Sequence, residues 1–186
     1  MAAHWASLDL QPPGEGVPPE RVIAVLVSTA VDESLLEIAL AKLGLTALLL
    51  SVNNSVGAVA HLCKLTNASH LIYGPKYASV AQEAQNLLAR EGIELGILPD
   101  KRFPLWGPDG VRALTAKNMI PTVQPRLTPA QEATRTAVIL HSSGSTGFPK
   151  PVYVTHYGLI ANAAVSVPKT GFSALPLFHG FGHFSM

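Results

Sequence analysis

The part of the sequence best suited to chemistry is SSGSTGFPK, which occupies residues 142–150 just downstream of an apolar run. Glycines let backbone N–H groups point at a bound anion without an intervening Cβ, and neighbouring hydroxyls add further donors. Lys150 adds one full positive charge at the end of the segment. This combination predicts an anion-binding loop, and polyphosphate is the ligand that suits it best. The residues expected to contact the anion are Ser142, Ser143, Gly144, Ser145, Thr146, Gly147 and Lys150.

Three known loop designs differ from this segment. The Walker loop requires adjacent Gly and Lys, whereas Phe148 and Pro149 stand between Gly147 and Lys150. The nucleophile elbow, G-x-S-x-G, requires a glycine at the position of Ser143. The dinucleotide-binding pattern G-x-G-x-x-G is absent from the sequence. The segment therefore belongs to a different type of phosphate loop.

A second candidate site lies further along the chain, in the sequence LPLFHGFGH at 175–183. Its two histidines, His179 and His183, carry side chains that can exchange protons near neutral pH. Taken apart from the surrounding motif, a histidine after LPLF is better interpreted as a structural residue than as one beside a substrate. Two other histidines near the loop, His141 and His156, are interpreted as structural residues.

The sequence upstream of the loop alternates two kinds of segment. Short runs that are apolar on both faces are typical of buried parallel strands, and the segments between them have helical spacing. The order strand–helix–strand with short connections predicts an α/β fold, in which a parallel sheet is flanked by helices on both faces. The predicted strands occupy 21–28, 46–52, 70–74 and 93–99, and the predicted helices 32–44, 55–67 and 77–92.

Two of these helices carry specific expectations. Asp32 is placed to cap the start of the first helix, and Gly44 is placed to end it. The third helix should pack through one apolar face. The residues expected on that face are Val80, Ala84, Leu87 and Leu88.

The remaining segments complete the domain organisation. Residues 1–20 are interpreted as an N-terminal extension and residues 21–186 as one domain. Prolines punctuate 101–129, which indicates a surface loop. The sequence TPAQ at 128–131 has the threonine, proline and glutamine that begin a short helix, and a strand is expected around 138–140.

Composition excludes several classes of function. Of the 186 residues, 13 are basic and 12 acidic, so no overall positive field attracts nucleic acid or an anionic membrane. The apolar runs are too short to span a bilayer, and the first residues do not resemble a signal peptide. Cys63 has no partner for an internal disulfide and is expected to be buried, which fits a reducing, cytoplasmic location.

The loop sequence resembles the phosphate loop of the adenylate-forming superfamily, which includes AMP-dependent acid ligases and the adenylation domains of peptide synthetases. That loop reads roughly [ST]-[SG]-G-[ST]-[ST]-G-x-P-K-G, and a strand, a T-H pair and a helix follow it. Here VYVTHYGLIANAA follows, with Thr155 and His156 at the corresponding places. Pro151 replaces the last glycine, as in domains that resemble aminoadipate reductase. The segment 175–183 is similar to the family's next motif, which implies that His179 lies near the acyl substrate.

The resemblance implies a two-step reaction on a small carboxylic or amino acid. Its carboxylate attacks the α-phosphorus of ATP, pyrophosphate leaves, and the acyl adenylate passes to a thiol of CoA or of phosphopantetheine on a carrier domain. Mg²⁺ would bridge the phosphates. The loop donors and Lys150 would stabilise the leaving pyrophosphate. No role for nucleic acid or a membrane is implied.

The resemblance also leaves alternatives. The printed chain stops at Met186, before the family's adenine and ribose motifs and its C-terminal lysine, so we expect an incomplete domain that is inactive alone. A second interpretation is a non-catalytic module that binds nucleotide or a partner. A third is a hydrolase with Ser145 as nucleophile and His179 or His183 as base. Pro149 and Pro151 oppose the helix that a nucleophile elbow needs.

Overall fold

The fold is given by a computed structural model, in which residues 20–101, 127–142 and 147–165 are described. Strands and helices alternate through most of this part of the chain. The strands are β1 (Val22–Leu26), β2 (Thr46–Leu49), β3 (His70–Tyr73), β4 (Gly96–Pro99), β5 (Thr136–His141) and β6 (Pro151–Thr155). The helices are α1 (Ala30–Lys42), α2 (Val56–Leu65), α3 (Ala78–Arg90), α4 (Pro129–Thr134) and α5 (His156–Val165), with a 3₁₀ turn at Pro75–Tyr77.

The described strands form one sheet of six, in the order β4-β3-β1-β2-β5-β6. The four strand pairs formed among β1, β2, β3, β4 and β5 are all parallel, which confirms the predicted parallel sheet. The last strand, β6, pairs antiparallel with β5, so the complete sheet is mixed. Because β2 and β5 are parallel neighbours, the chain leaves both strands at the same edge of the sheet.

Helices cover both faces of the sheet because β1 is apolar at every position. Ala24 and Leu26 point to the face where α2 and α3 pack. Ile23 and Val25 point to the opposite face, where Leu36 and other residues of α1 pack. This division follows from the period of two along a strand, which turns successive side chains to opposite faces.

The start of α1 differs from the prediction. Its N-cap is Thr29, whose side-chain oxygen accepts a hydrogen bond from the backbone N–H of Asp32 at 3.0 Å. Asp32 lies in the first helical turn, so its assignment as the cap was wrong. A threonine three residues earlier satisfies the same geometry and leaves the carboxylate near the positive end of the helix dipole. Gly44 does follow the helix end, with φ of +71°.

The boundary between α3 and β4 also differs from the prediction. Gly92, with φ of +74°, ends α3, and the N–H of Ile93 donates to the carbonyl of Leu88 at 3.0 Å. Because this hydrogen bond makes residue 93 part of the helix end, β4 begins at Gly96 rather than at 93. The buried face of α3 contains Ala81, Ala84 and Leu88. Leu87, which the sequence placed on this face, is 36 % exposed.

The elements next to the loop agree with their sequence patterns. The hydroxyl of Thr128 accepts from the N–H of Gln131, and the side chain of Gln131 accepts from the N–H of Thr128, so α4 begins with a complete capping box. Helix α5 begins at His156, and the Thr155 hydroxyl accepts from the N–H of Gly158 at 3.1 Å. Residues 1–19 and most of the predicted loop, 102–126, lie outside the described residues.

Among the described helices, none is both long enough and apolar enough to cross a bilayer.

Candidate functional site

The predicted phosphate loop starts where β5 ends, at the carboxyl edge of the parallel strands. Leu48 of β2 pairs with Ile139 of β5, so the chain that leaves β2 at Leu50 and Ser51 runs beside His141. The loop therefore opens next to the connection between β2 and α2. This edge is the usual location of ligand sites in sheets of this type.

The imidazole of His141 joins these two connections. Its Nε2 accepts a hydrogen bond from the backbone N–H of Ser51 at 3.0 Å and lies 3.3 Å from the side-chain nitrogen of Asn54. A backbone N–H can only donate, so Nε2 carries no proton. The proton is on Nδ1, which donates to the carbonyl of Ser142 at 3.1 Å. In this arrangement the ring is neutral and links β5 to the segment after β2.

The two ends of the loop are held together by two hydrogen bonds between Ser142 and Lys150. The N–H of Ser142 donates to the carbonyl of Lys150 at 3.0 Å, and the N–H of Lys150 donates to Oγ of Ser142 at 3.1 Å. The first of these bonds extends the antiparallel ladder past the pair formed by His141 and Pro151. The Ser142 hydroxyl keeps its own hydrogen available for donation to a ligand.

The exit of the loop contacts helix α2. The ring of Phe148 stacks on the imidazole of His61, with the ring centroids 5.0 Å apart and an angle of 27° between the planes. A Cβ added to Gly57 would lie 3.4 Å from both Cε1 and Cζ of Phe148. Phe148 remains 54 % exposed, while the next residue, Pro149, is buried. The contact with α2 thus holds an aromatic ring that the core does not cover.

Two of the predicted ligand residues lie at this exit. Gly147 and Lys150 are both exposed, and no described atom lies within 4 Å of a Cβ built on Gly147. The backbone of Lys150 is fixed by Ser142, whereas its side chain extends into solvent. Among the residues that the structure describes, the ammonium of Lys150 makes no ion pair. A lysine ammonium group whose backbone is anchored in this way suits a multiply charged anion.

The structure thus describes part of the predicted site. It brings Ser142, Gly147 and Lys150 to one edge of the sheet. The remaining candidates lie outside the described residues, and their roles stay predictions: Ser143, Gly144, Ser145, Thr146, His179 and His183.

Sequence reasoning did not identify Asn54, Gly57 or His61 as neighbours of the loop. They occur in no recognisable motif, and they meet the loop because β2 pairs with β5, far apart in sequence. One signal was available, since Gly57 and His61 are four residues apart and therefore lie on one face of the predicted helix.

The local chemistry argues against the hydrolase interpretation. After the loop the chain enters strand β6, whereas a nucleophile elbow leads directly into a helix. The cysteine is not a nucleophile either, because it is 2 % exposed and burial raises the pKa of its thiol to about 12. This confirms Cys63 as a buried apolar residue. In the described segments, no group of three or more His, Cys, Asp or Glu side chains is arranged to hold a metal ion.

Comparison with known proteins identifies the family and agrees with the fold. A sequence model of the family described as AMP-binding enzyme matches residues 10–186. The chain is 35 % identical over 156 residues to the adenylate-forming reductase stbB of Stachybotrys bisbyi, which covers 78 % of this chain and 14 % of that protein. It is 30 % identical over 168 residues to the non-ribosomal peptide synthetase ascB of Acremonium egyptiacum, covering 86 % of this chain and again 14 % of the relative.

A solved structure shows the same fold. The ATP-bound MatB from Rhodopseudomonas palustris superimposes with a TM-score of 0.65 at 21 % identity, over 99 % of this chain and 34 % of that one. The chain therefore corresponds to a minor part of the length of each of these three proteins.

Proposed function

Because the chain belongs to the family of AMP-binding enzymes, we propose that it is part of an acyl-adenylating enzyme and holds the phosphates of ATP while a carboxylic acid is activated. The observation that carries this proposal is the loop closed by Ser142 and Lys150 at the carboxyl edge of the parallel strands. That closure presents a hydroxyl and an ammonium group on the exposed side of one short segment. Such a donor set fits a polyphosphate.

The proposed reaction has two steps. A carboxylate oxygen of the acid forms a bond to the α-phosphorus of ATP, and the bond from that phosphorus to the β-phosphate oxygen breaks, which releases pyrophosphate. A thiol, of CoA or of phosphopantetheine on a carrier domain, then attacks the acyl carbon and AMP leaves. The substrate would be a carboxylic or amino acid. Relatives named as an adenylate-forming reductase and a peptide synthetase support the adenylate intermediate.

The residues of the loop would act on the leaving group. Negative charge grows on pyrophosphate as the bond breaks, so donors already directed at it stabilise the transition state more than the ground state. Lys150 would contribute the full charge, and Ser142 a hydroxyl. Ser143, Gly144, Ser145, Thr146 and Gly147 would contribute further hydroxyl and N–H donors. Mg²⁺, when bound, would neutralise negative charge on the phosphates, and the loop hydroxyls are oxygen ligands of the kind that it accepts.

His179 would contact the acid substrate or its adenylate. Residues 21–186 would form part of the adenylating domain, and residues 1–20 an extension that precedes it. Because the chain spans 14 % of its reductase relative, we expect acyl-adenylate formation to need more of the protein than these 186 residues. The cytoplasm is the proposed location, since the one cysteine is a buried thiol.

ATP binding to the 186-residue chain tests the proposal. Isothermal titration should detect ATP and inorganic tripolyphosphate, and Lys150→Ala should weaken both by about one to two orders of magnitude, the value of a lost charge-assisted contact in a partly solvated site. Lys42→Ala is the matched control, because Lys42 is an exposed lysine at the far end of α1 from the loop. An equal loss in the two variants, or binding of neither ATP nor tripolyphosphate by the parent chain, would contradict the proposal.

Acid-dependent exchange of pyrophosphate into ATP tests the catalytic part separately. A longer protein that contains this sequence should show it and lose most of it in Lys150→Ala, whereas Ser145→Ala should retain substantial activity. Exchange abolished by Ser145→Ala and unaffected by Lys150→Ala would support a serine nucleophile instead. Nucleotide binding without exchange for any acid in the longer protein would support a non-catalytic module.

A further inference from the structure

Both ends of the loop contact one short segment of the fold, the turn after β2 and the first two turns of α2. At the entry, the ring of His141 bonds to Ser51 and Asn54. At the exit, Phe148 stacks on His61 beside Gly57. These contacts are independent of the bonds that Ser142 and Lys150 make with each other. The loop is therefore attached to the sheet and, separately, to a helix.

We propose that α2 positions the exit of the phosphate loop, residues 147–150, and that His61 is a positioning residue that acts through Phe148. This inference rests on the proposed function, because it assigns the control of loop geometry within that same site. Lys150 is two residues beyond Phe148 and is bonded to Ser142 on its other side. The stack on α2 is therefore the second anchor of the short segment that carries the cation.

The shape of α2 matches this role. Gly57 and His61 are one turn apart on the same face, and the missing side chain of Gly57 leaves room for the Phe148 ring. A Cβ at 3.4 Å from two ring carbons would sit at the close limit of ordinary contact. His61 closes one side of this recess with its own ring, in the offset geometry that aromatic pairs prefer.

Helix α2 is also rigid enough to serve as a reference point. Its opposite side carries Val59, Leu62 and Cys63, all 2 % exposed or less within the apolar core. Its N-terminus is capped by Ser55, whose hydroxyl accepts from the N–H of Ala58 at 3.3 Å. A well-packed helix cannot shift without disturbing the sheet beneath it. A contact to this helix therefore restricts the loop and not the reverse.

Amide hydrogen exchange and ATP titration on the 186-residue chain test the proposal. His61→Ala and Phe148→Leu should each speed exchange at the amides of 147, 148 and 150, and weaken ATP binding, by about two- to tenfold, the range expected for one aromatic pair. The double variant should bind ATP no more weakly, and exchange its loop amides no faster, than the more affected of the two single variants. Both changes remove the same contact, so their effects should not add. His61→Phe should restore binding and slow exchange, whereas His61→Asn should not.

Leu65→Ala is the matched control, because Leu65 is a half-exposed residue at the end of the same helix. It should leave loop exchange and ATP binding unchanged. Amide exchange in β1 and β2 reports on folding in every variant. If His61→Ala proves unstable, Phe148→Leu still tests the contact, because it changes a ring that is exposed to solvent. Any of three outcomes would overturn the positioning role. The first is unchanged loop exchange in both single variants, and the second is a rescue by His61→Asn equal to that by His61→Phe. The third is losses of ATP binding that add in the double variant.

The two proposals fail in different ways. If the parent chain binds neither ATP nor tripolyphosphate while His61→Ala still loosens the loop, the nucleotide function is wrong and the positioning role of α2 is right. If ATP binds through Lys150 while His61→Ala changes neither measurement, the nucleotide function is right and the positioning role is wrong.

Discussion

The carboxyl of Glu33 allows the packing of α1 to be tested through pH. Glu33 is 3 % exposed, and burial, with a smaller contribution from the charge of Glu37, raises its pKa from 4.5 to about 8. In the unfolded chain the carboxyl ionises near its ordinary pKa. Between pH 4.5 and 8 the folded protein therefore holds a proton that the unfolded chain has released. The free energy of unfolding must fall as the pH rises through this window, and the stabilisation is complete only below it.

The size of the effect at pH 7 follows from the distance between that pH and the ordinary pKa of the carboxyl. That distance is about 2.5 pH units, and at about 1.4 kcal/mol per unit it lowers the free energy of unfolding by roughly 3–4 kcal/mol. Glu33→Gln removes the titration while it nearly preserves the size and shape of the side chain. The variant should be close to the parent in stability at pH 4.5 and exceed it by roughly 3 kcal/mol at pH 7.

Urea unfolding at pH 4.5, 7 and 8.5, followed by circular dichroism, measures these differences. Some dependence on pH should remain in the variant, because burial raises the pKa of Glu37 to about 7. Glu83→Gln, on the exposed side of α3, is the control and should leave the pH dependence as it is in the parent. A parent protein whose stability is constant or rises from pH 4.5 to 8.5, or a Glu33→Gln variant less stable than the parent at pH 8.5, would refute the reasoning.

Two further predictions concern hydroxyls that accept backbone hydrogen bonds. Thr29→Ala should lower the free energy of unfolding by about 1 kcal/mol in urea titrations, because α1 loses its N-cap, and an unchanged midpoint would contradict that assignment. Ser142→Ala should weaken ATP binding by about two- to tenfold in calorimetric titrations, because the N–H of Lys150 loses its acceptor. Ser34→Ala serves as the control for both, since its exposed hydroxyl bonds only within α1, and equal effects in Ser34→Ala and Ser142→Ala would argue against the loop closure.

Much of the fold could be predicted because the strands are doubly apolar. In β1 every residue is buried, so the segment was recognisable without any knowledge of its neighbours. Boundaries were harder to predict, because they depend on competition between adjacent caps. Thr29 and Asp32 are both good N-cap residues, and the structure uses the first. The start of β4 depended on whether Ile93 would bond back to α3, which its apolar side chain does not reveal.

The candidate site was predictable only as far as its motif extends. Glycines, hydroxyls and a lysine close together in sequence identify the ligand class without a fold, which is why Ser142 and Lys150 could be named. The surroundings of the loop depend on long-range pairing instead. His61 is 87 residues from Phe148, and the two rings meet because β2 lies beside β5 in the sheet order. No local pattern encodes that adjacency.

The bonds between Ser142 and Lys150 join the two ends of the loop next to the last pair of β5 and β6, so the register of these strands does not depend on the residues between. They close a ring of backbone whose contents, residues 143–149, can change while β5 and β6 keep the same pairing. An exchanged or lengthened loop would cost little in closure entropy, since that term grows only slowly with length. The loop can therefore be exchanged as a unit, provided that an aromatic residue two positions before the lysine fits the recess on α2. A loop transplanted from a relative should keep the sheet intact, and adding Phe at that position should recover its placement.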